Sequence, residues 1–120
     1  MTRILFVDDE EVRFTLLKMR DFFPEEAEVC SVNNAIDAIT AVRDELWDTI
    51  FLDHDLNTFV DGQEITGLDV AKSIIQFAVG APDCIIHSMN QSAAWRMEKT
   101  LQEEGFFTQV IPFHKLPERM

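Results

Sequence analysis

Short uninterrupted apolar runs alternate along the chain with stretches of ten to fourteen residues in which apolar positions recur every three or four. Runs of the first kind suit strands covered on both faces, and stretches of the second suit amphipathic helices. Their alternation predicts βαβ units around a parallel sheet. The first strand is predicted over Ile4–Val7 and is closed by Asp8, Asp9 and Glu10. A helix follows from Glu11 to Phe23, with Val12, Leu16, Met19 and Phe23 spaced for one face and Pro24 ending it. Ala27–Val32 reads as a second strand, and Asn34 is placed to cap a helix whose stripe is Ala35, Ala38, Ile39, Val42 and Leu46. The third strand, Thr49–Leu52, ends at Asp53, His54 and Asp55. Beyond it, Thr58–Val60 and Gln63–Ile65 flank Asp61-Gly62, a pair suited to a two-residue hairpin turn, so a small flap over the strand ends is expected. Thr66-Gly67-Leu68-Asp69 opens the next helix as a capping box, with Leu68, Ala71, Ile74, Ile75 and Ala78 inward and Gly80 after its end. Asp83–Ser88 is a further strand, and a helix from Ser92 to Glu104 turns Ala94, Met97 and Leu101 inward before Gly105. Phe107–Phe113 is the last strand of the sheet, and in the remaining HKLPERM, Pro117 limits any helix to a fragment. The pattern predicts one α/β domain of three layers over residues 1–120, a five-stranded parallel sheet whose final helix is missing or reduced.

Composition changes this picture little, and charge narrows it. With 47% hydrophobic and 27% charged residues, the 120-residue chain has an ordinary globular makeup and the size of one domain. The net charge of −12 repels a phosphate backbone, which argues against a long nucleic acid as partner. A small phosphorylated ligand stays compatible with it, because a bound cation reverses the local potential. The sequence has no apolar run long enough for a membrane span, and the start turns acidic too early for a signal peptide. A cytoplasmic location without a membrane is therefore expected. Cys30 and Cys84 fall in apolar segments and read as small buried hydrophobes in a reducing compartment.

Ligand crevices of open parallel sheets lie outside the carboxyl ends of the strands. The predicted strands deliver Asp8, Asp9 and Glu10, then Asp53, His54 and Asp55, then His87, Ser88 and Asn90, and finally His114 and Lys115 to that edge. Two carboxylates about 5 Å apart repel by roughly 3 kcal/mol at an effective dielectric of 20, so several converging here call for a cation. Oxygen ligands from Asp8 or Asp9, from Asp53 and from a backbone carbonyl suit Mg²⁺; the nearby histidines make Mn²⁺ or Zn²⁺ the alternatives.

The segments ILFVDDE, TIFLDHDL and TGLDVAKSI resemble the receiver domain of two-component response regulators over residues 3–113. The resemblance implies a receiver or flavodoxin-like sheet of strand order 2-1-3-4-5. It also implies Asp8 and Asp9 as magnesium ligands, Asp53 as phospho-acceptor and Ser88 as switch hydroxyl. The family's lysine at the end of the last strand falls on Pro112, with Lys115 three residues on. The sequence LDHDL, then TGLDV, then IIHSMN with Arg96-Met97 looks closer still to the cyclic-phosphate processing receiver domains of bacteria and phages. That resemblance implies a metal-dependent phosphoesterase in a bacterial cytoplasm, of chromosomal or phage origin. The expected division of labour places a Mg²⁺ ion on Asp8, Asp9 and Asp53, and proton transfer on His87 and His54, with Asp53 and Asp55 beside them. Arg13, Ser88, Asn90, Arg96 and Lys115 are the expected donors to phosphate oxygens. The other readings are a stand-alone receiver phosphorylated on Asp53, and a non-catalytic protein that binds a nucleotide or a protein partner, with Trp95 or Phe59 as contact residues.

Overall fold

The computed structural model describes residues 2–119, with side chains through Leu116. Five parallel strands form the main sheet: β1 (Arg3–Val7), β2 (Glu28–Val32), β3 (Thr49–Leu52), β6 (Asp83–Ile86) and β7 (Thr108–Val110). They lie in the order β2-β1-β3-β6-β7. With the hairpin of β4 (Thr58–Val60) and β5 (Gln63–Ile65) set aside, this is the predicted 2-1-3-4-5. Helices α1 (Glu11–Met19), α2 (Ala35–Asp44), α3 (Gly67–Phe77) and α4 (Gln91–Glu103) connect the strands. A 3-10 helix over Phe113–Arg119 stands where a fifth α-helix was expected to be missing or reduced.

The two faces of the sheet carry different cores. Leu5, Val7, Ile50, Leu52 and Ile86 point to one face, covered by α2, α3 and α4 through small and aliphatic residues such as Ala38, Ala71 and Met97. Ile4, Phe6, Phe51 and Ile111 point to the other, covered by Leu17 of α1, by Phe22 and by Leu116 of the 3-10 segment. Alternation along each strand produces this division.

The caps hold as read. The Asn34 side chain accepts the Asp37 N–H, and Thr66 with Asp69 forms a complete capping box. The hairpin is also present, with Val60 paired to Gln63 across Asp61 and Gly62, whose φ angles of 51° and 78° meet the demand of a two-residue turn for left-handed backbone. Its base is tied to α2, because the Thr58 hydroxyl accepts the Ala35 N–H at 2.9 Å.

Two stripes differ from expectation. On α1, Val12, Leu16 and Met19 are exposed, and the inward positions are Arg13, Phe14 and Leu17. The helix stops at Met19, Asp21 takes a positive φ of 50°, and Phe22 and Phe23 fill the sheet face from a loop. At the end of α2, which stops at Asp44, Leu46 turns outward and Trp47 is buried in its place, its indole N–H donating to the Ala41 carbonyl. Cys84 is buried, whereas Cys30 is only half-buried. Among the described residues no helix is long and apolar enough to cross a membrane.

Candidate metal centre

The site follows from sheet register. Phe6 pairs with Phe51, and Phe51 with Ile85. Two residues farther along each strand come Asp8, Asp53 and His87, on the same face by the period of two. Backbone pairing continues through them: the Asp8 N–H donates to Val32, that of Asp53 to Val7, and that of His87 to Leu52, at 3.1–3.2 Å. The three side chains therefore form one row across the central strands, and each is at most 5% exposed. Each offers a ligand atom within 4.8 Å of the others.

Asp8 is fully engaged. Its Oδ1 accepts the Glu10 N–H at 2.8 Å, and its Oδ2 accepts from His87 Nε2 at 3.0 Å and from Arg13 Nη1 at 3.2 Å. Burial alone pushes this carboxyl up; the His87 and Glu10 hydrogen bonds, with the charges of His87 and Arg13, bring it below the usual aspartate range. Asp53 accepts one backbone N–H, from His54 at 2.8 Å, and faces Arg13 Nη1 at 3.5 Å. Burial raises its pKa, the Asp8 charge adds to the rise, and His87, the His54 N–H and Arg13 only partly oppose it.

His87 is enclosed. Its ring stacks on Phe6 at 4.9 Å and meets Phe113 edge-on at 6.2 Å. Its Nδ1 is buried without a hydrogen-bond partner among the described residues, and Nε2 is the nitrogen that donates to Asp8. Arg13 bridges the row to its rim. Its Nη2 lies 2.8 Å from Glu10 Oε2 and its guanidinium sits 5.0 Å over the Phe113 ring.

Gly67 holds the Asp53 segment from below. Its N–H donates to the His54 carbonyl, and a Cβ on it would collide with the Asp53 carbonyl oxygen and crowd the His54 Cα. Only glycine lets α3 begin this close to the strand end.

The other predicted residues lie around the row. Asp9 is half-buried, follows the strand in a bend and is outside the Asp8, Asp53 and His87 group. Burial and the neighbouring Asp8 raise its pKa. His54 pairs through Nδ1 with Asp55 Oδ1 at 2.7 Å at the exposed edge. Ser88 is buried and its hydroxyl accepts the Asn90 N–H, while the Asn90 side chain caps α4 by accepting the Ala93 N–H. Arg96 and Lys115 are exposed, as are Trp95 and Phe59. The described side-chain hydrogen bonds of the hairpin run to α2 and to the Leu56 carbonyl rather than to the carboxylate row. Sequence reasoning did not single out Phe6 or Phe113 for the site, whereas Gly67 belongs to the TGLDV segment that carried the family resemblance.

The family described as the cyclic-phosphate processing Receiver domain matches residues 3–103. The chain belongs to this family. No curated protein matches this receiver domain. Solved structures share its fold at low identity. A CheY-like receiver domain from Methanospirillum hungatei JF-1 is 18% identical, over 99% of this chain and 90% of its own, with a TM-score of 0.68. The receiver domain of sensor histidine kinase PA1611 from Pseudomonas aeruginosa PAO1, described with a magnesium ion coordinated in its active site cleft, is 17% identical over 98% and 95%, with a TM-score of 0.68. A response regulator from Burkholderia pseudomallei with a phosphorylated aspartic acid and a calcium ion is 17% identical, with a TM-score of 0.67. The present receiver domain covers 92% of itself and 59% of that longer chain in the match.

Proposed function

We propose that this receiver domain is a metal-dependent phosphoesterase acting on a small cyclic phosphate or phosphodiester. The observation that carries the reading is the buried row of Asp8, Asp53 and His87 in a member of a family described as processing cyclic phosphates. Buried carboxylates with few counter-charges are a donor set suited to a hard divalent cation. Asp8 and Asp53 would hold Mg²⁺, the ion named for the Pseudomonas receiver domain. Bound there, the cation would neutralise a phosphoryl oxygen and acidify water.

The protein's own groups divide the remaining work. His87, fixed as a donor to Asp8, keeps that carboxylate ionised and aimed. His54, held by Asp55 at the accessible edge, is the group placed to exchange protons with substrate and solvent. Arg13 is the cation nearest the row and the donor for a phosphate oxygen, with Ser88, Asn90, Arg96 and Lys115 as the outer set proposed for larger substrates. A small phosphorylated ligand in a bacterial cytoplasm is the expected substrate.

A second reading has its own support. Asp53 ends the third parallel strand in a fold shared with receivers, one of them described with a phosphorylated aspartic acid. One experiment separates the readings. The protein with Mg²⁺ is incubated with a panel of cyclic nucleoside phosphates and, separately, with acetyl phosphate, and followed by phosphorus NMR and intact mass. Ring opening that is abolished by chelator and by Asp53→Asn supports the esterase. A lasting covalent mass increase on Asp53 without turnover overturns it in favour of phospho-signalling. Tight binding with every ligand returned intact overturns both in favour of a binding protein.

A further inference from the structure

We infer that Arg13 competes internally with the divalent cation for the Asp8 and Asp53 carboxylates, and that the entering cation turns the guanidinium toward the substrate phosphate. The inference rests on the metal-binding reading proposed above and adds to it how the site is regulated.

The competition is between charges for the same atoms. Arg13 Nη1 lies 3.2 Å from Asp8 Oδ2 and 3.5 Å from Asp53 Oδ2, which belong to the two carboxylates that offer the cation its ligands. Asp8 Oδ2 already takes the His87 proton as well, so it has no lone pair left for a third partner while Arg13 stays. Guanidinium does not lose its proton at any pH the fold survives, so only displacement can free Asp8 Oδ2.

The rim is built to keep Arg13 after displacement. Its Nη2 is paired with Glu10 Oε2 at 2.8 Å, and its guanidinium rests 5.0 Å over Phe113. Neither contact uses the buried carboxylates. Rotation of the terminal group therefore breaks the two inner ion pairs and preserves the outer anchors. The Nη1 N–H groups released from Asp8 and Asp53 then face the same space as a phosphate drawn to the cation, while Nη2 stays with Glu10. One cation is exchanged for another at the carboxylates, and the first becomes a phosphate ligand. The location of Arg13 on the inward stripe of α1, half-buried beside the row, fits this use better than a surface role.

The test measures Mg²⁺ alone, then inorganic phosphate, by calorimetry on the full chain. Arg13→Gln is expected to bind Mg²⁺ at least fivefold more tightly than the unaltered protein and to gain a larger rise in melting temperature from saturating Mg²⁺. Phosphate binding to the Mg²⁺-loaded variant is expected to weaken about tenfold, and Arg13→Lys, which keeps the charge but has no second nitrogen to hold Glu10 at the same time, should fall between. In the unaltered protein, the Arg13 Nε–H NMR signal should move on Mg²⁺ saturation, a readout that needs no variant to fold. Equal or weaker Mg²⁺ binding by Arg13→Gln, or an Arg13 signal that stays fixed under saturating Mg²⁺, overturns the competition while leaving the metal site standing. Absence of Mg²⁺ uptake by both proteins overturns the metal site and the competition together.

Discussion

Asp8 and Asp53 end adjacent parallel strands, occupy neighbouring places in one row and are almost equally buried, yet the fold shifts their carboxyls in opposite directions. Burial penalises both. Three donors converge on Asp8, one of them the enclosed His87, whereas Asp53 has a single backbone N–H and a share of Arg13 at 3.5 Å. The difference teaches that depth does not set the chemistry of these groups; the supply of hydrogen-bond donors does. Asp8 is the satisfied carboxylate that fixes the frame. Asp53 is the one with acceptor capacity to offer a cation or a phosphoryl group.

The comparison breaks most severely at His87. His87→Ala removes a fully buried ring and one of Asp8's two side-chain partners, so the fold should lose roughly 3–5 kcal/mol in urea denaturation. His87→Gln, which still presents a donor, should recover part of the loss. If His87→Ala unfolds at the unaltered urea midpoint, the enclosed histidine is not what holds Asp8. Gly67→Ala strikes the other half of the pair. A Cβ there overlaps the Asp53 carbonyl oxygen, backbone that has little freedom to yield, and a cost of roughly 2–4 kcal/mol is expected together with weakened Mg²⁺ binding. Retention of both would show that the α3 start does not fix the Asp53 segment.

The register made the row legible in principle from sequence alone, since Asp8, Asp53 and His87 are each the first polar residue after an apolar strand. Reading them as strand ends was enough to gather them at one edge. It was not enough to separate Asp8 from Asp9, or His87 from Ser88, because that requires knowing which face each strand turns to which helices. Arg13 shows why α1 was misjudged. Its inward stripe is Arg13, Phe14 and Leu17, and a pattern that admits only apolar residues skips the arginine and settles on Val12, Leu16 and Met19. A charged residue on the buried stripe was itself the sign of a site. The capping box at Thr66 and the Asp61-Gly62 turn were legible because local backbone chemistry decides them without help from distant contacts. The course of α1 after Met19 was not, because the demand of Phe6 and Phe51 for aromatic cover brings Phe22 and Phe23 in from a loop.

Substitution of each carboxylate should give effects of opposite sign in the absence of metal. Asp53→Asn removes a charge the fold disfavours and should raise the melting temperature by a few degrees, an effect of roughly 1 kcal/mol. Asp8→Asn removes a charge the fold favours and should lower it by a similar amount or more. The pH dependence sharpens the same point. Asp8, with its folded pKa depressed, contributes stability that is present above the ordinary aspartate value of about 3.9 and lost as pH falls through its lower folded value. Asp53, with its folded pKa raised, has the opposite sign: stability falls as pH rises from about 3.9 through its folded value. The fall across the weakly acidic range should therefore be smaller in Asp53→Asn than in the unaltered protein. Equal slopes there would mean the two carboxylates are not distinguished by their surroundings.

The smallest stability effect is expected at His54, and it separates two contributions that the sequence combines in one residue. The hydrogen bond that reaches Asp53 comes from the His54 backbone N–H, whereas the side chain turns to Asp55 at the exposed edge. A side-chain contact with one partner mostly in solvent contributes little, about 0–1 kcal/mol, and His54→Ala leaves the backbone donor in place. Its melting temperature should therefore lie within a degree or two of the unaltered protein, and its Mg²⁺ affinity should be unchanged. Turnover of a cyclic phosphate should nevertheless fall by roughly 10²-fold or more if the imidazole carries the proton. A variant with unaltered turnover would remove His54 from the chemistry and leave it as the backbone support of Asp53. A variant that instead loses Mg²⁺ binding would show that the side chain, and not the peptide, gives Asp53 its place in the row.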